Sequence, residues 1–245
     1  MFGSYQFGKP VILGSTTLET YQDEGVYVYH RKSDSELKKI MSSPLNLQVN
    51  PVEPVTQPEK VTHYLLINLA CPVLVAPKST ITLFLTFPIE IGVFPEPEES
   101  TNQGFFINTK REEEPIDLFT LTRPKYTLYG EPDNGVICKM WQSGIHTHIP
   151  QVSPLYEGVA NLEIENSASQ QKEIRNLVFD VHYMRIFYRE VAMVNAVVKI
   201  RSNGTAETSF LGEPPLEGMK EGARIFNHGG VLVMERESFL MEWGL

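Results

Sequence analysis

His146-Thr147-His148 is the segment whose residue types and spacing best suit chemistry. In an extended backbone, side chains two positions apart point to the same side, so both imidazoles can converge on one transition metal. A third ligand has to come from elsewhere in the chain. Candidates include His182, with Asp180 two residues before it on the same side of an expected strand, and also His30, His63, His228 and the carboxylates. Three such ligands leave one coordination position for water, which the metal would activate for hydrolysis. The competing reading is a plain exposed loop, since Gly144 and Pro150 flank the pair.

Other searches narrow the chemistry. The chain contains no Gly-x-Gly-x-x-Gly, no Gly-x-Ser-x-Gly and no His-Glu-x-x-His, which removes the common local signatures of dinucleotide binding, serine hydrolysis and zinc proteolysis. Gly3 to Lys9 has the spacing of a phosphate loop, but Pro10 stands where magnesium needs a hydroxyl. Arg185 and Arg189 flank Phe187, an arrangement suited either to an anion or to stacking and surface packing. Tyr27, Tyr29, Tyr126 and Tyr129 could line a carbohydrate or small-ligand groove, although strands favour such residues for packing alone.

The elements that must position these groups read as strands. Short runs rich in Val, Ile, Thr, Tyr and Phe, bounded by Pro, Gly, Asn and Asp, recur along the chain. The expected strands include Val26 to His30, Val61 to Leu69, Thr80 to Phe87, Ile89 to Phe94, Lys125 to Tyr129, Val136 to Trp141, Val159 to Asn166, Leu177 to Tyr188 and Val191 to Arg201. One short helix is expected from Asp34 to Ser42, with Ser33 and Glu36 as a capping box and Pro44 beyond its end. Pro95 to Pro115 is the most acidic segment and reads as a solvated hairpin. A last hairpin is expected from Ala223 to Glu235, turning through Asn227-His228-Gly229-Gly230. The apolar end, Phe239 to Leu245, either docks on its own domain or offers a patch to a partner.

This pattern predicts an all-β protein of two antiparallel, immunoglobulin-like β-sandwich domains with one short helix. The junction is expected in the loop from Gln142 to Tyr156, giving domains over residues 1–145 and 155–245. With 42% apolar and 21% charged residues the chain suits a folded core, and its net charge of −9 argues against a nucleic-acid partner. Neither a secretory leader nor a transmembrane run is visible, so a cytoplasmic protein with buried, reduced thiols at Cys71 and Cys138 is expected. The Asn203-Gly204-Thr205 sequon then reads as a turn.

Pro77-Lys78-Ser79-Thr80 leading into Pro88-Ile89-Glu90-Ile91-Gly92-Val93-Phe94, with the opening Met1-Phe2-Gly3-Ser4-Tyr5, resembles an uncharacterised family of archaeal proteins over roughly the first hundred residues. The resemblance implies an archaeal cytoplasmic origin and carries no activity. The expected role is therefore non-catalytic, a binding or assembly module engaging an unknown protein or a second copy, without a cofactor. The alternatives are a transition-metal protein or metal-dependent hydrolase using His146, His148 and His182, and a carbohydrate-binding sandwich built on the tyrosines.

Overall fold

The computed structural model describes residues 1–54, 61–96, 114–201, 204–225, 238–242 and 244. Its elements begin with β1 (Gly3–Tyr5), β2 (Val11–Leu13), β3 (Thr16–Asp23), β4 (Val26–Lys32), β5 (Leu37–Met41) and β6 (Leu47–Val52). The middle of the chain forms β7 (Tyr64–Val75), β8 (Ser79–Pro88), β9 (Glu90–Pro95), β10 (Asp117–Phe119), β11 (Lys125–Tyr129) and β12 (Val136–Ser143). The remainder forms β13 (Glu157–Asn166), β14 (Lys172–Asp180), β15 (Phe187–Tyr188), β16 (Ala192–Ile200), β17 (Ala206–Leu211), β18 (Lys220–Glu221) and β19 (Phe239–Met241). A 3-10 turn, Val181–Tyr183, follows β14. The protein is all-β, and among the described residues no helix is long and apolar enough to cross a membrane.

The chain divides into two compact units. Met1–Asn50 with Ile91–Leu118 makes the first, which holds the meander β2-β3-β4-β5 and most of the sheet β1-β6-β9-β10. Along β3, buried Thr16, Leu18 and Thr20 alternate with less buried neighbours, the period-two pattern of a strand with one covered face. Asp23 pairs Val26 across Glu24-Gly25, both at positive φ (44° and 90°), the two-residue turn whose twist suits a hairpin. Inside this unit Arg31 Nε and the Tyr29 hydroxyl both donate to Asp117 Oδ2, at 2.6 and 2.9 Å.

Pro51–Glu90 with Phe119–Leu245 makes the second unit. It contains the sheet β11-β12-β7-β14 and a seven-stranded sheet ordered β18-β15-β16-β13-β8, with β17 on β16 and β19 on β17. The two sheets face each other: Leu65, Ile67 and Phe179 from one line the same small apolar void as Phe87, Leu162 and Val194 from the other. Continuous apolar runs therefore mark strands covered by a facing sheet. The apolar C-terminus docks within its own unit, where Phe239 to Met241 pair with Thr208 to Ala206.

Several expectations are corrected. The helix over Asp34 to Ser42 is instead β5, paired with β4 from Tyr27↔Met41 to Arg31↔Leu37. A nine-residue helix gains little by itself, whereas a strand satisfies the free edge of β4. Glu36 leaves its supposed cap to meet His30 Nε2 at 2.6 Å. The sheets are not purely antiparallel, since β12 pairs β7 and β13 pairs β16 in parallel. Parallel neighbours need long crossovers, and a local residue pattern does not reveal which distant strand will be the neighbour. The segment 142–156 leads from β12 to β13 inside the second unit, while the chain passes between units after Asn50, Glu90 and Leu118. Cys138 is buried but Cys71 is exposed. The acidic hairpin, apart from its ends, the turn carrying His228, Asn203 and Trp243 all lie outside the described residues.

Candidate metal centre

The site begins with strand register. Near the end of the β7–β14 ladder Asp180 pairs with Tyr64, so the next residues outward, Val181 and His63, also meet: Val181 N donates to His63 O at 3.0 Å. Beyond that point β14 stops being a strand. The Asp180 carboxylate accepts from the backbone N–H of His182 at 3.0 Å and caps the 3-10 turn over Val181–Tyr183. Met184 N closes the turn on Val181 O at 3.0 Å, and Val181 itself is fully buried. The turn anchors through valine and swings the following histidine back over the strand end.

This brings together His63, Asp180 and His182, whose ligand atoms all lie within 4.8 Å of one another. His182 Nδ1 is 3.2 Å from Asp180 Oδ1, and His63 Nε2 is 4.0 Å from Asp180 Oδ2. Each carboxylate oxygen thus faces one imidazole. Ligands on a tetrahedral zinc at about 2.0–2.2 Å stand roughly 3.4 Å apart, close to these separations. The two imidazole centroids are 4.4 Å apart and tilted by 34°. Side-chain exposures of 38%, 19% and 31% for His63, Asp180 and His182 leave the group open to solvent on one side.

The electrostatics keep the donors available. Burial pushes the His63 pKa below its ordinary value; Asp180 opposes that shift and His182 adds to it. A lowered pKa favours the neutral imidazole, the form that ligates. A neutral His63 ring beside a second imidazole, with a carboxylate between them, is a donor set that suits a divalent cation. The His63 ring packs on Tyr64 at 4.0 Å, Tyr64 on Phe239 at 5.1 Å and Phe239 on Tyr129 at 5.9 Å, so an aromatic wall runs away from the centre.

The structure does not bring His146 and His148 to His182; among the described residues only the His63 group gathers three such ligands. His146 forms an isolated bridge with Phe84, and the chain bends at Thr147 and His148, which removes the extended backbone that would have set both rings on one side. The His146 ring lies against Gly144, where an added Cβ would sit 2.9 Å from Nε2. His148 is exposed, with Nδ1 at 3.0 Å from the Thr147 hydroxyl. His30 is held by Glu36 in the first unit. Asp180 and His182 are thus readable as a pair in the sequence, where His63 is one of several further histidines, and the β7–β14 register singles it out.

Four of the remaining candidates have structural partners. Arg185 forks onto Glu221 with two bonds of 2.8 Å and lies 5.7 Å from the centre of the Phe187 ring. Tyr29 is fully buried on Asp117, and the Tyr129 hydroxyl accepts from Glu242 N at 3.1 Å. Tyr27 packs edge-on against Phe7 at 5.7 Å.

Comparison with curated proteins and with solved structures gives no significant match. A family model, by contrast, matches almost the full length and not just the first hundred residues. It covers residues 1–242 and is described as "Protein of unknown function (DUF432)", and the chain belongs to that family.

Proposed function

We propose that this protein binds one divalent transition metal through His63, Asp180 and His182. The observation that carries the reading is the convergence of two imidazoles and one carboxylate, from residues 119 positions apart at the extremes, within 4.8 Å. Neutral imidazole and carboxylate donors suit zinc and its late first-row neighbours. Three protein ligands leave a position for water or for another ligand, the pattern found where a metal does chemistry rather than only bracing a fold. Asp180 also serves as the brace for His182, so one carboxylate both ligates and sets the ring. The test is cobalt(II) titration of the full, chelator-treated chain by visible absorption. A spectrum of low-symmetry coordination saturating at one equivalent supports the reading, and its absence at excess cobalt refutes it.

A second reading, assembly through a sheet edge, rests on a different observation. Leu128 and Ile137 are register partners on β11 and β12, are 44% and 52% exposed, and lie beside Tyr126 at 37%. In the ladder order of its sheet β11 is an end strand. Exposed apolar side chains on an end strand favour pairing with a second copy or another protein. A mass that rises with concentration and returns to monomer in Leu128→Lys supports it; a monomer throughout contradicts it.

A further inference from the structure

Beside the candidate centre stands a guanidinium that meets no carboxylate among the described residues. Arg224 Nη2 donates to the backbone carbonyl of His182 at 3.1 Å, its one hydrogen bond among those residues. Its Nε is closed off from solvent and has no partner. Guanidinium carries five N–H donors in a planar fork that matches an oxyanion, and in proteins it stays charged. Four of the described arginines meet a carboxylate, Arg31 with Asp117, Arg175 with Glu173, Arg185 with Glu221 and Arg201 with Glu207, whereas Arg123 and Arg189 form no such pair among the described residues. The buried Glu53, on a neighbouring stretch, accepts with both oxygens from the backbone N–H of Ile225.

A half-buried cation that lacks an anion is costly unless one is supplied. In a chain of net charge −9, an unpaired arginine is also the less common sign. Its position matters because it hangs from His182, one of the three proposed ligands. A metal there, with an open coordination position, is a second positive charge facing the same ligand.

We propose that the open position takes a small oxyanion of the phosphate or carboxylate type, shared between the metal and the Arg224 guanidinium. The inference rests on the metal reading above. One oxygen ligates the metal and another accepts from Arg224, so the metal recruits the anion and the arginine orients it. No bond is made or broken in this step.

The experiment keeps the two readings apart. The full chain is loaded with cobalt(II), and inorganic phosphate, then acetate, is titrated while the visible spectrum is followed; Arg224→Gln and Arg224→Lys are treated in parallel, with thermal unfolding confirming that each is folded. The expected result is an unchanged cobalt affinity in both variants and a saturable spectral change with at least one of the anions in the parent. The anion midpoint should move at least tenfold higher in Arg224→Gln and by a smaller factor in Arg224→Lys. Cobalt binding with no response to either anion, or with equal anion midpoints in parent and variants, overturns the oxyanion proposal and leaves the metal reading standing. Loss of cobalt binding in the variants makes Arg224 a positioning residue for His182 and likewise overturns it. Failure of the parent to bind cobalt overturns both.

Discussion

At the scale of single residues, the account turns on which groups hold protons. Burial lowers the His63 pKa from 6.5, so folding favours the neutral ring. The resulting stability is present above 6.5 and is lost as pH falls through the lowered folded value. Protons and metal compete for the same lone pair, so metal occupancy should fall over that acidic window as well. Proton NMR of the metal-free chain checks this: the His63 ring should titrate below 6.5, and a midpoint at or above it contradicts the burial argument. Cys138 moves the other way, because burial pushes its thiol up to about 12 from 9.0. A raised thiol pKa stabilises the fold below 9 and loses that contribution between 9 and about 12. Iodoacetamide near pH 8 should therefore modify the exposed Cys71 alone in native protein and both cysteines in denaturant. Equal modification of the two in native protein would show that Cys138 is reachable.

At the scale of elements, the second unit contains a buried ion pair that tests how its strands are held. Lys139 on β12 meets Glu90 at the start of β9, with side chains 2% and 0% exposed. Removing one partner strands a charge, so Glu90→Gln should lower unfolding free energy by about 3–5 kcal/mol, whereas Lys139→Met with Glu90→Leu should recover most of it. Denaturant unfolding of the two variants decides, and a double variant no more stable than Glu90→Gln would contradict the pairing. The same scale shows what the sequence made legible. Lys125–Tyr129 is a strand with the expected bounds, and Val136–Ser143 and Glu157–Asn166 differ by two residues at one end, because alternation and Pro or Gly punctuation are local signals. Leu37–Met41 reads as a helix because Leu37, Ile40 and Met41 fit a helical stripe, yet β4 supplies a partner no local pattern shows, and Ile40 ends 77% exposed. The candidate site divides the same way. Asp180 and His182 are two apart and were visible as a pair, while His63 arrives through register with β14 and a 3-10 turn that redirects His182. His146 and His148 had the better local spacing and the wrong backbone.

At the scale of the whole molecule, two compact units are built from a chain that passes between them three times. The triad lies in the second unit and joins residues from two strands at one end of the β7–β14 ladder. Metal binding should accordingly raise the unfolding temperature of the full chain, since a ligand that prefers the folded state stabilises it by mass action. The most direct measurement is isothermal titration of zinc into the chelator-treated full chain, run beside His63→Ala, His182→Ala and a His146→Ala/His148→Ala double variant. Loss of an outer-shell partner alone costs about 10–100-fold in metal affinity, so loss of a ligand should cost at least as much. One equivalent bound by the parent and by the double variant, with affinity collapsing in His63→Ala and in His182→Ala, is the expected result. Binding that survives both single substitutions, or that disappears only in the double variant, contradicts a centre at His63, Asp180 and His182.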